Sequence, residues 1–239
     1  MTTQSLELPI TQKIYRLTQS LLQRGRKHGW VSVARLMQRR LNVYRYEARL
    51  GINTCGWIGK DSISKNPLCL SYEPFDYETI QLAISKLKID PVLDGFLDYG
   101  AGKGRVMAVA AQFPFKRILG VELSPYLTES ANQNMRNLKR RVCQGPIEAV
   151  VADACDFEVP ADISAIFLFN PFCGEVLDRV VARIEESLDR HPRAVSLVHV
   201  HFRSAPSPFA RSAKFSLNEE LPLICREDMS AELYSSRCD

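Results

Sequence analysis

Gly95-Phe96-Leu97-Asp98-Tyr99-Gly100-Ala101-Gly102-Lys103-Gly104-Arg105 is the stretch that decides how this chain folds. It opens as a short apolar run ending in Asp98 and Tyr99, which suits a buried strand. Glycine then recurs at every second position, and glycine permits both a positive φ and close backbone approach to a ligand. From Lys103 to Phe113 the apolar residues Val106, Val109, Ala110 and Phe113 fall at three- and four-residue spacing, so a helix follows the turn. The glycine spacing is G-x-G-x-G, not the G-x-G-x-x-G of dinucleotide-binding folds.

Downstream, the same alternation repeats. Arg117 to Val121 reads as a second strand, Ala149 to Ala152 as a third, Ala165 to Phe169 as a fourth and Ala194 to Phe202 as a fifth. Ser124-Pro125 opens a helix, with serine capping free amides and proline in the first turn. Glu175 to Arg190 is the clearest helix, with Leu177, Val180, Val181, Ile184 and Leu188 along one stripe. Phe215 to Leu223 and Ala231 to Ser235 supply two further strands as an antiparallel pair. Strands separated by helices imply right-handed crossovers. The expected fold class is therefore α/β: a doubly wound, mainly parallel seven-stranded sheet with an N-terminal helical extension.

Upstream, Glu78 to Leu87 reads as a short helix, while residues 51–70 are irregular, broken by Gly56, Gly59 and Pro67. Residues 8–50 read as helical and basic. Ile14, Leu17 and Leu21 share one spacing, and Val33, Leu36, Met37 and Leu41 another, after a break at His28-Gly29. Residues 1–70 are expected to form a basic helical extension and linker, and residues 71–239 the main domain.

Composition closes off other classes. The 239-residue chain carries a formal net charge of +4, and 46% of its residues are hydrophobic, which is ordinary for a globular protein. Its 7 cysteines are widely spaced without C-x-x-C, and its 4 histidines form no H-E-x-x-H, so neither a disulfide framework nor a metal site is expected. His199 and His201 share one face of a strand and read as partly buried strand residues. No apolar run approaches the roughly 18 residues of a membrane span. Met1 to Arg16 has no apolar signal-peptide core. The chain is expected to be soluble and cytoplasmic.

Ligands of open α/β sheets bind beyond the carboxyl ends of the strands. The chemistry-bearing residues follow that rule: Asp98 to Gly104 after the first strand, Glu122 and Leu123 after the second, Asp153 and Ala154 after the third, and Asn170-Pro171-Phe172 after the fourth. Asp98 would repel a pyrophosphate but favour a ligand bearing a cationic amino group and a sulfonium. Glu122 stands where a carboxylate accepts ribose hydroxyls, and Asp153 where an acidic side chain accepts from an adenine amino group.

FLDYGAGKGR, ILGVELSP, VVADACDF and FLFNPF resemble the first four motifs of class I (seven-strand, Rossmann-like) methyltransferases dependent on S-adenosyl-L-methionine (SAM). The resemblance spans about residues 72–202. It is closest to a largely uncharacterised bacterial group and more distant to Dot-type protein-lysine methyltransferases. It implies SAM as cofactor, with Asp98 organising the glycine loop and the methionine amino group. Gly100 and Gly102, with Gly104 behind them, would give room for the methionine moiety. Glu122 would hold the ribose, and Asp153 and the Ala154 amide would read adenine, with Leu123 adjoining. Tyr72, Glu73 and Pro74 would close over the cofactor. Tyr99 and Ala101 are tolerated variants of the loop.

The resemblance also implies that Asn170, Pro171 and Phe172 serve the transfer. The Asn170 carbonyl would accept from an acceptor nitrogen, and Phe172 would stack on a flat acceptor or a lysine stem. The alternative is that Asn170 binds only cofactor and Phe172 is core. The motif lacks the second proline of the Asn-Pro-Pro-aromatic loop, which disfavours a nucleobase or glutamine amide. A nitrogen on a protein side chain or small molecule is the favoured acceptor. Nucleic acid remains open through the basic N-terminal helices, and the oligomeric state is unspecified. Competing expectations are a methyltransferase-like module that binds SAM without catalysis, and an NAD-dependent oxidoreductase.

Overall fold

The computed structural model describes residues 18–237 apart from residues 20–21, 24, 28, 89, 91–93 and 224–225. The expected first helical stripe, Ile14, Leu17 and Leu21, lies outside the described residues. The chain divides between Arg49 and Leu50 into two compact units. In the first unit the main element is helix α1, Trp30–Leu50, whose last residue begins the second. One apolar face was expected here, but Val33 and Leu36 are half-buried whereas Met37 and Leu41 are exposed.

The second unit is built on a seven-stranded sheet. Its strands are β1 (Gly95–Tyr99), β2 (Arg117–Glu122), β3 (Ile147–Val151), β4 (Ile163–Phe169), β5 (Ser196–Phe202), β6 (Phe215–Leu221) and β7 (Met229–Ser236). They lie in the order β3-β2-β1-β4-β5-β7-β6. The first five pair in parallel, while β7 runs antiparallel to both β5 and β6. The sheet is thus mixed, mostly parallel with an antiparallel hairpin at one edge. The flanking helices are α2 (Tyr77–Ser85), α3 (Arg105–Ala110), α4 (Pro125–Asn137) and α5 (Gly174–Arg190).

Local chemistry sets the element ends. The α3 helix is shorter than the periodicity predicts, because Gly104, at φ 80°, is its N-cap and Pro114 follows closely. A residue before proline is driven out of the helical region. Ser124 caps α4 as expected, its side chain accepting from Leu127 N with Pro125 in the first turn. On one face of the sheet Leu97, Ile166 and Leu168 pack with Val180 and Ile184 of α5. Gly120 leaves room for α3: a Cβ there would come within 2.6 Å of Met107 Sδ. Among the described residues no helix is long and apolar enough to cross a membrane, and no cluster of side chains could hold a metal.

His199 and His201 are deeply buried and stack on each other at 4.8 Å between centroids. His201 Nδ1 lies 3.0 Å from the Phe202 carbonyl and 2.9 Å from that of Ala205. Both partners only accept, so Nδ1 carries hydrogen. Nε2 faces Glu232 Oε2 at 3.2 Å. Burial works to lower the His201 pKa, but the Glu232 carboxylate and the two carbonyls outweigh it and raise the net value. Glu232 moves the opposite way, lowered chiefly by His201. His199 is pushed down to about 3 by burial and then by its neighbour's charge.

The raised His201 pKa contributes stability that is complete below the unfolded value of 6.5 and is lost as pH rises through the folded value. The lowered Glu232 pKa contributes above 4.5 and is lost as pH falls through its folded value. The pair therefore helps most between those two unfolded values. His201→Gln is expected to cost more stability at pH 6 than at pH 9. Urea midpoints of both proteins at the two pH values measure this; equal differences would contradict the pairing.

Candidate functional site

The glycine loop rides on the end of β2. Gly100 N and Ala101 N both donate to Val121 O, at 2.8 and 3.1 Å. Gly100 and Gly102 have φ values of 74° and 56°, in the left-handed region. A Cβ on Gly100 would run into Pro171, and one on Gly102 into the Tyr72 ring. Glycine is therefore required twice at each position, by conformation and by space.

Asp98 lies beneath this loop, 2% exposed. Its Oδ2 is buried with no hydrogen-bond partner among the described residues. Burial, and then the nearby Glu122 charge, push its pKa well above the usual carboxylate range. A buried, unsatisfied carboxyl costs free energy unless something cationic or hydrogen-donating meets it. Glu122 is also buried, but better served. Its Oε2 accepts from Gly102 N and its Oε1 from Ser124 N, each at 2.9 Å. Burial raises its pKa and these amides pull it back. Each oxygen keeps a further lone pair for a ligand hydroxyl.

Asp153 is exposed at the end of β3. Its Oδ1 accepts from Cys155 N at 2.8 Å, forming a local turn, which leaves Oδ2 for a ligand. Ala152 N donates to Glu122 O at 3.0 Å, so the two strand ends are held side by side.

At the end of β4, Asn170 has φ 38° and is the only non-glycine residue at positive φ among those described. Asparagine tolerates that region better than most residues. Its backbone N donates to Val200 O at 2.8 Å. Leu70 N donates to Pro171 O at 3.3 Å, and Cys69 bridges Phe172 in antiparallel fashion. Residues 69–70, read from sequence as linker, are thus stitched to this loop. Phe169 stacks on Phe75 at 4.2 Å between ring centroids.

One cavity of about 550 Å³ collects these groups. Tyr72, Glu73, Pro74, Asp98, Gly100, Ala101, Glu122, Leu123, Asp153, Ala154, Asn170, Pro171 and Phe172 all line it. Tyr99, Gly102 and Gly104 are not among its walls. Tyr99 is fully buried in the core, its ring edge-on to Phe157 and Phe172. It follows Asp98 in a strand, where successive side chains point to opposite faces. Gly102 is screened by Tyr72, and Gly104 serves as the cap of α3. Phe172 borders the cavity but is itself 6% exposed, with its ring in the core beside Tyr99.

Several walls have no counterpart in the sequence analysis. Trp57, Phe75, Arg105, Phe202, Arg226 and Met229 also line the cavity. Phe202 ends a strand, and the carboxyl-end rule applied to β5 would have found it. Arg226 has no local signature; it reaches Glu73 at 3.2 Å and Asp228 at 3.1 Å. Arg105 is the most consequential. Its Nε donates to Thr54 Oγ1 and its Nη1 to Phe75 O, both at 2.7 Å, and Nη2 lies 3.5 Å from Cys55 Sγ. Its guanidinium sits 4.4 Å over the Tyr77 ring. Tyr72 OH donates to Thr54 O at 2.5 Å, and Tyr72 pairs with Ile58 through two backbone bonds. Residues 54–58 and 69–77 therefore form a double strap over the glycine loop, fastened by one buried arginine.

The sequence profile of a methyltransferase domain matches residues 97–191. No curated protein matches the chain. Among solved structures, an RNA methyltransferase from Salinibacter ruber in complex with S-adenosyl-L-homocysteine superposes with a TM-score of 0.52 at 15% identity. That match covers 70% of this chain and 95% of the other. A TehB-like SAM-dependent methyltransferase from Corynebacterium glutamicum has a TM-score of 0.50 at 15% identity, covering 66% and 87%. Geranyl diphosphate C-methyltransferase from Streptomyces coelicolor has 0.50 at 12%, covering 69% and 78%. At such identities the structural likeness shows the fold alone. The matched methyltransferase domain covers residues 97–191, less than half of the chain, and such a domain implies S-adenosyl-L-methionine as cofactor.

Arg105→Lys keeps the charge but loses the planar fork that reaches both strap segments. Losing one or two charge-assisted bonds at a buried site is expected to cost about 2–4 kcal/mol. Denaturant midpoints measure the cost. Hydrogen exchange should quicken at residues 54–58 and 69–77 before the sheet opens; uniform quickening would argue against a strap fastener.

Proposed function

We propose that this chain transfers a methyl group from SAM to a nitrogen on a protein side chain or small molecule, acting in the cytoplasm. The observation that carries the proposal is the Asp98 carboxyl, whose Oδ2 is buried without a partner among the described residues at the rim of a cavity lined by three further carboxylates, Glu73, Glu122 and Asp153. The donor set fits SAM: one cationic amino group, ribose hydroxyls and an adenine amine, matched against three acceptors at three strand ends. A pyrophosphate would meet Asp98 and Glu122 with like charge. Cys69, Cys143, Cys155 and Cys173 form no disulfide among the described residues, which suits a reducing compartment.

When bound, the cofactor supplies an activated methyl group on a positively charged sulfur. The residues divide the remaining work. Asp98 holds the ammonium, and the bare backbone of Gly100 and Ala101 lets the methionine portion lie close. Glu122 accepts from ribose while bracing Gly102. Asp153 Oδ2 and the Ala154 amide read adenine, with Leu123 beside them. Gly102, Gly104 and Tyr99 act by shaping the loop and its footing. Tyr72, Glu73 and Pro74 cover the site within the strap. The catalytic part takes in Leu50 onward, since strap residues from position 54 belong to the same unit, and residues before it form a basic helical extension.

The Asn170 side chain forms no hydrogen bond with any described residue, so its carbonyl is available to orient an acceptor N–H. Phe172 acts from behind, by packing that fixes the Asn170-Pro171 turn. Phe169, Phe75 and Phe202 would exclude water around the acceptor. Alignment of this kind contributes on the order of 7–11 kcal/mol without a dedicated base.

Calorimetry is expected to show saturable SAM binding, weakened roughly hundredfold by Glu122→Ala, the cost of about two charge-assisted bonds. Binding of NAD with none of SAM would overturn the proposal. Methyl transfer to protein or small molecules in a cell extract, read with labelled SAM, tests the acceptor class; label confined to RNA would refute it.

Asp98 also makes binding pH-dependent. Its raised pKa means the carboxyl takes up a proton as pH falls, and a neutral carboxyl holds an ammonium less well. A free α-amino group titrates near pH ~8 and stays charged below 7. SAM affinity is therefore expected to fall with falling pH, starting above the range where an ordinary carboxyl titrates, in the native protein and to be weak and flat in Asp98→Asn. A flat native profile would remove Asp98 from the ammonium site.

A further inference from the structure

Helix α1 carries an apolar seam that the proposed reaction does not use. Trp30, Ala34, Met37, Leu41, Tyr44 and Ala48 recur at alternating steps of four and three residues, and all six are exposed. The four large ones are 61%, 45%, 46% and 70% exposed in chain order. That alternation is the heptad pattern by which one helix seats its side chains into another. The seam is about 27 Å long at 1.5 Å per residue, enough for a partner helix of five turns. Small residues at two of its six positions make it a narrow groove for a helix.

Charge selects the occupant. Arg40 and Arg45 flank the seam on opposite sides, with Arg35 and Arg49 further out. Arg40 and Arg45 are exposed and face no carboxylate among the described residues. The only acidic residue of α1 is Glu47, which is buried. A second copy of the chain would bring arginine against arginine, which disfavours pairing. The two aromatic rings of the seam, Trp30 and Tyr44, stand 14 residues or about 21 Å apart with Ala34, Met37 and Leu41 between them, so they form no continuous platform for stacked bases and RNA would rely mainly on the flanking charge. A membrane surface would call for a broader apolar face than a single seam with alanine at two of its six positions.

We propose that the exposed face of α1 docks an acidic amphipathic helix of a partner protein, seated on the Trp30–Ala48 seam between Arg40 and Arg45. This surface is separate from the catalytic proposal, and its test needs no SAM. The probe is a synthetic three-heptad peptide with leucine at both seam positions and glutamate on both flanks. Fluorescence anisotropy with the full chain should show saturable binding. Met37→Glu and Leu41→Glu should each weaken it at least about tenfold. Arg40→Glu with Arg45→Glu should switch preference to the lysine-flanked version of the peptide. Both changes are on exposed positions, so unchanged circular dichroism and urea midpoints mark the variants as folded. The proposal is overturned if the acidic peptide fails to bind, or if the seam variants bind it as tightly as the native chain. It is equally overturned if single-stranded RNA or anionic vesicles bind more tightly through the same residues. A dimer in sedimentation that the seam variants dissociate would assign the seam to a second copy instead.

Discussion

Two carboxylates held out of water at the ends of adjacent strands set the terms for the rest of this molecule. Asp98 and Glu122 lie on β1 and β2, which pair in parallel, so their charges are forced toward one another at the carboxyl rim. Glu122 is tolerated because two backbone amides, from Gly102 and Ser124, donate to it. Those amides come from the glycine loop and from the start of α4, so one side chain braces the turn after β1 and the helix after β2. Asp98 has no such relief. A site that leaves one carboxyl unserved while bracing its neighbour with two amides is suited to a ligand that brings its own cation.

The strap follows from the same constraint. A buried carboxyl pair open to bulk water would simply be hydrated, and its preference for a cationic ligand would be diluted. Residues 54–58 and 69–77 shield the glycine loop, and they are held by polar bonds as well as by the buried rings of Phe75 and Tyr77. Tyr72 is fastened to Thr54, and Arg105 to Thr54 and Phe75. Glu73 and Arg226 extend the same style of closure to the β6–β7 connection.

Periodic features were legible in the sequence because they are local. The alternation of strands and helices from Gly95 to Phe202 follows from hydrophobic spacing, and every strand end bearing Asp98, Glu122, Asp153 or Asn170 lies at the cavity. The antiparallel last pair was also readable from its two short strand-like runs. What escaped was long-range. Nothing near Arg105 in the chain announces that it will meet Thr54 and Phe75, since those bonds depend on how an irregular segment folds back. Tyr99 was read by its place in a motif, whereas strand alternation turns its ring into the core. Phe172 was open to two readings, and packing against Tyr99 puts its ring on the core side. The split of α1 into half-buried Val33 and Leu36 and exposed Met37 and Leu41 escaped for a related reason: spacing identifies an apolar face but not what covers it.

The hairpin at the sheet edge explains why the acceptor side is the least predictable part of the site. In a wholly parallel sheet β5 would be followed by a crossover, and its carboxyl end would be bordered by another strand end. Here β7 enters antiparallel, so Phe202 at the end of β5 pairs with Met229 at the start of β7. Both reach the cavity, and the β6–β7 connection, carrying Arg226, is delivered to the same rim. On the proposed reading, the cofactor side is built from strand ends whose chemistry is set by a common ligand. The acceptor side is built from a loop, a hairpin and an aromatic stack, none of which the sheet itself constrains. On the proposed reading, acceptor choice can therefore change through residues 57, 202 and 226 without disturbing Asp98 or Glu122, whereas Met229 belongs to the buried core.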